Sequence, residues 1–201
     1  MKKILSLAIA VFFLTTAPSW ASVTIDFGAL NLDHYTPIDT LYNSGVTFET
    51  INGNTFSYIP VTNDDHPEVQ GIGSTHPLFG AFQATLDVTA SFVSVDIGDT
   101  NLDDDELFLE VFDINNNSLG YAHKHIDSGF IGLETLSVSA DGIAYAIFGG
   151  GRDANGQMTG DLSTVMANNF TFEQTIPAPG AIVLGAFGVG IVGWVRRRGL
   201  I

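Results

Sequence analysis

From residue 22 to about residue 175 the chain alternates apolar and polar positions in short runs broken by Gly, Asn and Asp. No long segment there keeps the helical period of 3.6 residues. The runs fall at 23–27, 45–49, 84–88, 92–97, 107–112, 119–126, 135–139, 142–148 and 169–172, which predicts nine or ten strands. Within 92–97, Val93, Val95 and Ile97 share one face against Ser94 and Asp96. In 107–112 both faces are apolar: Leu107, Leu109 and Val111 on one, Phe108 and Phe112 on the other, with Glu110 as an acid at the rim. Such a strand is expected to be covered on both sides. Residues 113–118, Asp-Ile-Asn-Asn-Asn-Ser, are turn chemistry, because Asn and Asp tolerate positive φ and bond to their own backbone. The strand 119–126 then returns as the hairpin partner.

Repeated short strands in a body of this length predict an all-β domain, a β-sandwich or jelly roll. Fifteen Phe in the chain supply aromatic filling for its core. Cysteine is absent, which excludes disulfides, thiolate nucleophiles and Cys-ligated zinc. Three stretches, 31–44, 62–77 and 149–165, lack strand patterning and are expected to be loops, where binding residues sit on a β scaffold.

Charge divides the chain. Lys2 and Lys3 open it, Arg196, Arg197 and Arg198 nearly close it, and only Lys124 and Arg152 lie between, among all 22 acidic residues. The middle therefore carries a net charge of −20, which excludes nucleic acid as a partner, since phosphate neutralisation needs clustered Lys and Arg. It also disfavours an anionic membrane surface as a dock for the body.

Both ends are apolar with basic flanks. Residues 1–21 show the three parts of a secretory signal peptide: Lys2 and Lys3, an uncharged apolar run over 4–14, and Ser19-Trp20-Ala21 with small residues at −3 and −1. Cleavage is expected after Ala21; an uncleaved anchor is the alternative. At the other end 176–180, Ile-Pro-Ala-Pro-Gly, breaks the chain before fifteen uncharged residues, 181–195, and the Arg cluster. Fifteen helical residues rise about 22 Å. With residue 180 included and the arginines snorkelling, a transmembrane helix over 180–195 spans a thin bilayer. The arginines place its C-terminal end in the cytoplasm and the acidic body outside. A simple uncut tail anchor is the alternative.

Pro177-Ala178-Pro179, the short Gly-rich apolar helix and Arg196-Arg197-Arg198, in that order at the terminus, resemble the PEP-CTERM sorting signal of Gram-negative bacteria. In that family the tripeptide is usually Pro-Glu-Pro, and this chain has the Pro-Ala-Pro variant. The resemblance covers 176–201. It implies processing by an exosortase, delivery to the cell surface or beyond, and association with exopolysaccharide or biofilm. The run Gly45-Val46-Thr47-Phe48, the hairpin 105–121 and 168–172, Asn-Asn-Phe-Thr-Phe, resemble the bodies of many such proteins, which are similar to the galactose-binding-type jelly roll of carbohydrate-binding modules. That second resemblance implies a calcium between an early loop and the last strand, near Asp26, Asp39 and Asn168 or Asn169.

Read for chemistry, the densest group is 99–106, Asp-Thr-Asn-Leu-Asp-Asp-Asp-Glu. Carboxylates this close repel unless solvated or bridged by a hard cation. Asp99, Asn101, Asp103, Asp105 and Glu110 fall at positions 1, 3, 5, 7 and 12 of a calcium-loop count, but Asp104 stands where an EF-hand needs Gly, and Glu110 sits in a strand. The group is therefore a candidate calcium-binding β-loop, with a solvated acidic turn as the alternative. His123 and His125, two apart on a strand, share a face and are able to chelate a transition metal, but no third ligand is evident and exposed strand histidines are favoured. His66-Pro67 and His76-Pro77 read as loop rigidifiers, and Gly149-Gly150-Gly151-Arg152 as a flexible loop. No Gly-x-Ser-x-Gly, His-Glu-x-x-His or phosphate-cradling motif occurs, so the chain is read as no enzyme.

The expected organisation is a signal peptide (1–21), a β-sandwich (22–175) and a sorting signal with its membrane helix (176–201). The expected function is that of an exported, non-enzymatic surface or matrix protein with calcium and polysaccharide as ligands. Tyr35, Tyr42, Tyr58 and Phe79 are candidate sugar platforms, because rings stack on pyranose CH faces. Two alternatives stand beside this reading: a purely structural or adhesive matrix component, and a secreted glycan hydrolase or lyase on a jelly roll.

Overall fold

The computed structural model describes residues 19–30, 40–51, 56–60, 70–74, 81–99, 104–130, 132–157, 165–176 and 197. Ten strands run through them: β1 (Ser19–Ile25), β2 (Thr40–Asn43), β3 (Val46–Thr50), β4 (Phe56–Pro60), β5 (Gln70–Ser74), β6 (Ala81–Asp99), β7 (Asp105–Phe112), β8 (Ser118–Ile126), β9 (Gly132–Gly150) and β10 (Val165–Ile176). One 3-10 turn, Phe27–Ala29, follows β1. By contact the chain divides into one unit of Ser22–Gln174 and another of the terminal segments Met1–Ala21 and Thr175–Ile201.

β6 and β9, each 19 residues long, pair with one another antiparallel along most of their length. The register shifts on both sides of Ala90, and here the two strands pass from one half of the sheet to the other. In the front half, the first part of β6 pairs with β3 and the last part of β9 with β7, giving the order β2-β3-β6-β9-β7-β8. In the rear half the second part of β6 pairs with β10, giving β4-β5-β10-β6-β9, and β1 pairs with β10. The result is a β-sandwich-like fold.

The inward faces of the two halves form one core. Phe48 of β3 meets Phe170 of β10 edge-on at 5.2 Å and Phe27 at 4.9 Å, and Phe148 of β9 lies 5.7 Å from Phe170 and 5.6 Å from Phe82. All five rings are fully buried. Each such ring contributes roughly 1.5–3 kcal/mol by leaving water, so this cluster stands in for the missing disulfides. Across from Val111, Gly120 of β8 has no side chain, and a Cβ there would lie 2.5 Å from Val138 Cγ1. The bare backbone lets the rear half approach β8. β2 and β3 join through Ser44 and Gly45, at φ 51° and 87°, the paired left-handed conformation of a two-residue hairpin turn.

Two expectations change. The runs 84–88 and 92–97 are parts of one strand, as are 135–139 and 142–148, because both flanks of each break pair with the same partner strand. The stretches read as loops at 31–44 and 62–77 include β2 and β5, and β4 precedes the second of them. The signal segment before residue 19, the motif Pro177-Ala178-Pro179, the span 180–195, Arg196 and Arg198 lie outside the described residues. Among the described residues no helix is long and apolar enough to cross a membrane.

Candidate functional site: the open face of the front half

β7 alternates between two surroundings. Leu107, Leu109 and Val111 enter the core, while Glu106, Phe108, Glu110 and Phe112 face outward. Register places His125, His123 and Tyr121 of β8 beside Glu106, Phe108 and Glu110, and Gly149, Ile147 and Tyr145 of β9 beside Phe108, Glu110 and Phe112. The same face continues through Thr85 and Gln83 of β6 to Thr47 and Glu49 of β3 and Tyr42 of β2. A solvated sheet face is ordinarily polar; this one carries rings between its polar groups.

Phe108 is 1% exposed although it lies outside the main core. Arg152 covers it, with the guanidinium carbon 4.7 Å from the ring centroid, and Tyr121 stacks beside it at 6.3 Å. Arg152 also donates from Nη1 to Glu110 Oε2 at 2.8 Å. Gly149 and Gly150, read from sequence as part of a flexible loop, instead end β9 in register with Phe108 and Leu107. A residue without a side chain opposite Phe108 leaves that ring to be covered by Arg152. The segment beyond is clamped: Gly151 N–H donates to Glu106 O at 2.8 Å, and Tyr121 Oη–H donates to Asp153 O at 2.7 Å. Asp153 Oδ1 then accepts from the backbone N–H groups of Asn155 and Gln157 at 2.8 and 2.9 Å. The Gln157 N–H, foremost, holds the Asp153 carboxyl below its ordinary range. Burial, reinforced by the carboxylates of Asp153, Glu110 and Glu106 against the opposing Arg152, pushes Tyr121 up to about 12.

Glu106 supplies a shared partner for the two strand histidines. Its Oε2 lies 2.5 Å from His123 Nε2 and its Oε1 3.0 Å from His125 Nδ1. Each carboxylate oxygen thus faces one imidazole. Among the described residues no group of three His, Cys, Asp or Glu side chains is set to hold a metal ion. At the other end of β7, Phe112 and Tyr145 stack nearly parallel at 4.7 Å, and Tyr145 Oη–H donates to Asn116 Oδ1 at 3.1 Å. Burial is the main cause that raises the Tyr145 phenol above its ordinary value.

Of the candidate calcium-loop residues, Asp105 and Glu110 stand apart. Asp99 ends β6, Asn101 and Asp103 lie outside the described residues, and Asp105 opens β7 at 1% exposure. Glu110 stands five residues further along β7, about 17 Å away and on the opposite face of the strand. Its carboxylate is bound to Arg152, so it shares no ligand sphere with Asp105. Near the alternative calcium position, Asn168 Oδ1 accepts from the N–H groups of Phe27, Gly28 and Asn169 at 2.8, 3.3 and 2.8 Å, and Asn169 Nδ2 donates to Asp96. Asp26 Oδ1 caps the 3-10 turn by accepting from Ala29 N–H. These groups tie β10 to the turn after β1; Asp39 lies outside the described residues. Of the sugar-platform candidates, Tyr42 is 61% exposed and its hydroxyl donates to Asp87 at 2.8 Å. Tyr58 lies on β4, and Tyr35 and Phe79 lie outside the described residues. His66 and His76 are outside them as well.

The sequence places Glu110 at the rim of β7 but gives no sign of its partner Arg152 or of the roles of Tyr121 and Tyr145 beside it. The outward alternation of β7 was the available signal; the partners come from register.

No protein-family model and no curated protein matches the chain. Among solved structures, an aspartate-to-alanine variant of CBM29-2, a family 29 carbohydrate binding module, aligns at 12% identity over 77% of this chain and 92% of its own, with a TM-score of 0.36. A DUF4465 family protein from Bacteroides caccae aligns at 10% identity over 76% and 98%, with a TM-score of 0.46. The arabinose-bound α-L-arabinofuranosidase MgGH51 aligns at 11% identity over 79% of this chain and 27% of its own, with a TM-score of 0.44.

Proposed function

We propose that this is an exported, non-enzymatic surface or matrix protein that binds polysaccharide on the open face of its front half. The observation that carries the reading is the Glu110–Arg152 pair, set between Tyr121 and the stacked Phe112–Tyr145 pair on an otherwise solvated sheet. Rings offer apolar faces to sugar CH groups, and a fixed ion pair offers both donors and acceptors to hydroxyls. The signal-peptide pattern and the Pro-x-Pro, apolar, Arg tail support export and sorting by an exosortase, with membrane attachment through 180–195 before processing. Association with exopolysaccharide fits a protein whose face takes glycans.

Affinity electrophoresis of the full chain, in mild detergent, through gels containing soluble polysaccharides tests the reading. At least one polysaccharide is expected to retard the wild-type chain, and Tyr145→Ala is expected to abolish the retardation while keeping the melting temperature. Equal retardation of Tyr145→Ala and wild type contradicts the placement. The acidic balance favours a second reading, a structural or adhesive matrix component whose acidic surface is bridged by divalent cations, for which calcium-dependent self-association without glycan binding is the expected sign.

A further inference from the structure

We infer that the open face takes a neutral, polyhydroxylated glycan through the Glu110–Arg152 pair and rejects glycans bearing carboxylate or sulfate groups. The inference rests on the glycan-binding reading and adds the charge class of the ligand. Among the described residues the face carries outward carboxylates at Glu49, Glu106 and Glu110. Arg152 is its one guanidinium, and Glu110 already neutralises it at 2.8 Å. His123 and His125 are turned to Glu106. Lys124 alternates to the other side of β8, 3.9 Å from Glu134, and so adds no positive charge here. The carboxylates of Asp113, Asp153 and Asp87 are engaged by Asn117, by their own turn and by Tyr42. Among the described residues an anionic sugar on this face meets the carboxylates of Glu49, Glu106 and Glu110 and no guanidinium or ammonium beyond the Glu110-paired Arg152, and like charges at close range repel strongly where water is partly excluded.

The hydrogen-bond inventory points the same way. Among the described residues Arg152 bonds through Nη1 alone, and Glu110 accepts through Oε2 alone, with Oε1 beside it. Both side chains are mostly but not fully buried, at 26% and 17% exposure. A donor set next to an acceptor matches a hydroxyl, which donates and accepts at once, and matches adjacent hydroxyls best. A carboxylate or sulfate only accepts and leaves Glu110 Oε1 facing a like charge. Stacking of Arg152 on Phe108, together with its bond to Glu110, fixes the fork before a ligand arrives, which lowers the ordering cost of binding.

The test is a titration of the full chain with neutral polysaccharides (β-glucan, galactomannan, xylan) and with polygalacturonate, alginate and a sulfated glycan, at low and high salt. The expected result is binding to at least one neutral polymer with little salt dependence, and no binding of the anionic ones. Arg152→Lys, which keeps the charge and loses the planar fork, is expected to weaken neutral binding at least tenfold with the melting temperature preserved. Glu110→Gln keeps the shape and is expected to narrow the gap between neutral and anionic polymers. Tight binding of a polyuronate or sulfated glycan, weakened by salt, overturns the charge assignment and leaves the glycan reading standing. Absence of binding to every polymer overturns both. Concentration-dependent dimers that Arg152→Lys disperses assign the face to a second copy of the chain and also overturn it.

Discussion

Tyr121 is held by its surroundings at every atom that matters: its ring rests on Phe108, and its hydroxyl donates to Asp153 O. Burial and nearby carboxylates disfavour the phenolate, so the folded state resists ionisation up to about 12, whereas an unfolded tyrosine ionises near 10. A folded pKa raised above the unfolded one contributes stability that is complete below pH 10 and is lost as pH rises toward about 12. Stability toward urea is therefore expected to be flat to about pH 9 and to fall above pH 10. Tyr121→Phe, which cannot ionise, is expected to flatten that fall, read from denaturation midpoints across pH; an unchanged fall contradicts the assignment. Arg152 depends on the same contacts, since its guanidinium lies on Phe108 and bonds Glu110. Asn168 does comparable service in the rear half, where one amide oxygen accepts from three backbone N–H groups close to the core.

At the scale of elements, β8 depends on a missing side chain. Gly120→Ala places a methyl 2.5 Å from Val138 Cγ1, on a β-branched residue with little rotamer freedom. The overpacking is expected to cost about 1–3 kcal/mol in denaturant unfolding, with the front face of β7 otherwise unchanged. A loss within experimental error contradicts close apposition of the two halves at β8. The strand pattern of β7 was legible because Leu107, Leu109 and Val111 alternate with Phe108, Glu110 and Phe112, but the coverage expected on both sides holds for one: on the outward face only Phe108 is buried, and Glu106, Glu110 and Phe112 stay part-exposed. The continuity of β6 was not legible. Thr89, Ala90 and Ser91 read locally as a break between the runs 84–88 and 92–97, and only long-range pairing of both flanks with β9 makes one strand of them. The site was hidden for the same reason. Along the chain Glu110 falls into the count of an acidic loop and Arg152 follows a glycine run, and their meeting depends on the β7–β9 register that ends at Gly149 and Gly150.

At the scale of the molecule, the β-sandwich-like body carries a ring-bearing face on its front half. The net of −20 on the middle of the chain keeps such a body apart from polyanions and soluble among neutral polymers. Hydrogen–deuterium exchange of the full chain, with and without a saturating neutral polysaccharide, tests most directly the claim that the front half is the binding surface. The account predicts added protection in β7 (Asp105–Phe112), in β8 (Ser118–Ile126) and across 145–157, with β5 and β10 unchanged. Protection confined to β5 and β10, or none at saturation, contradicts it.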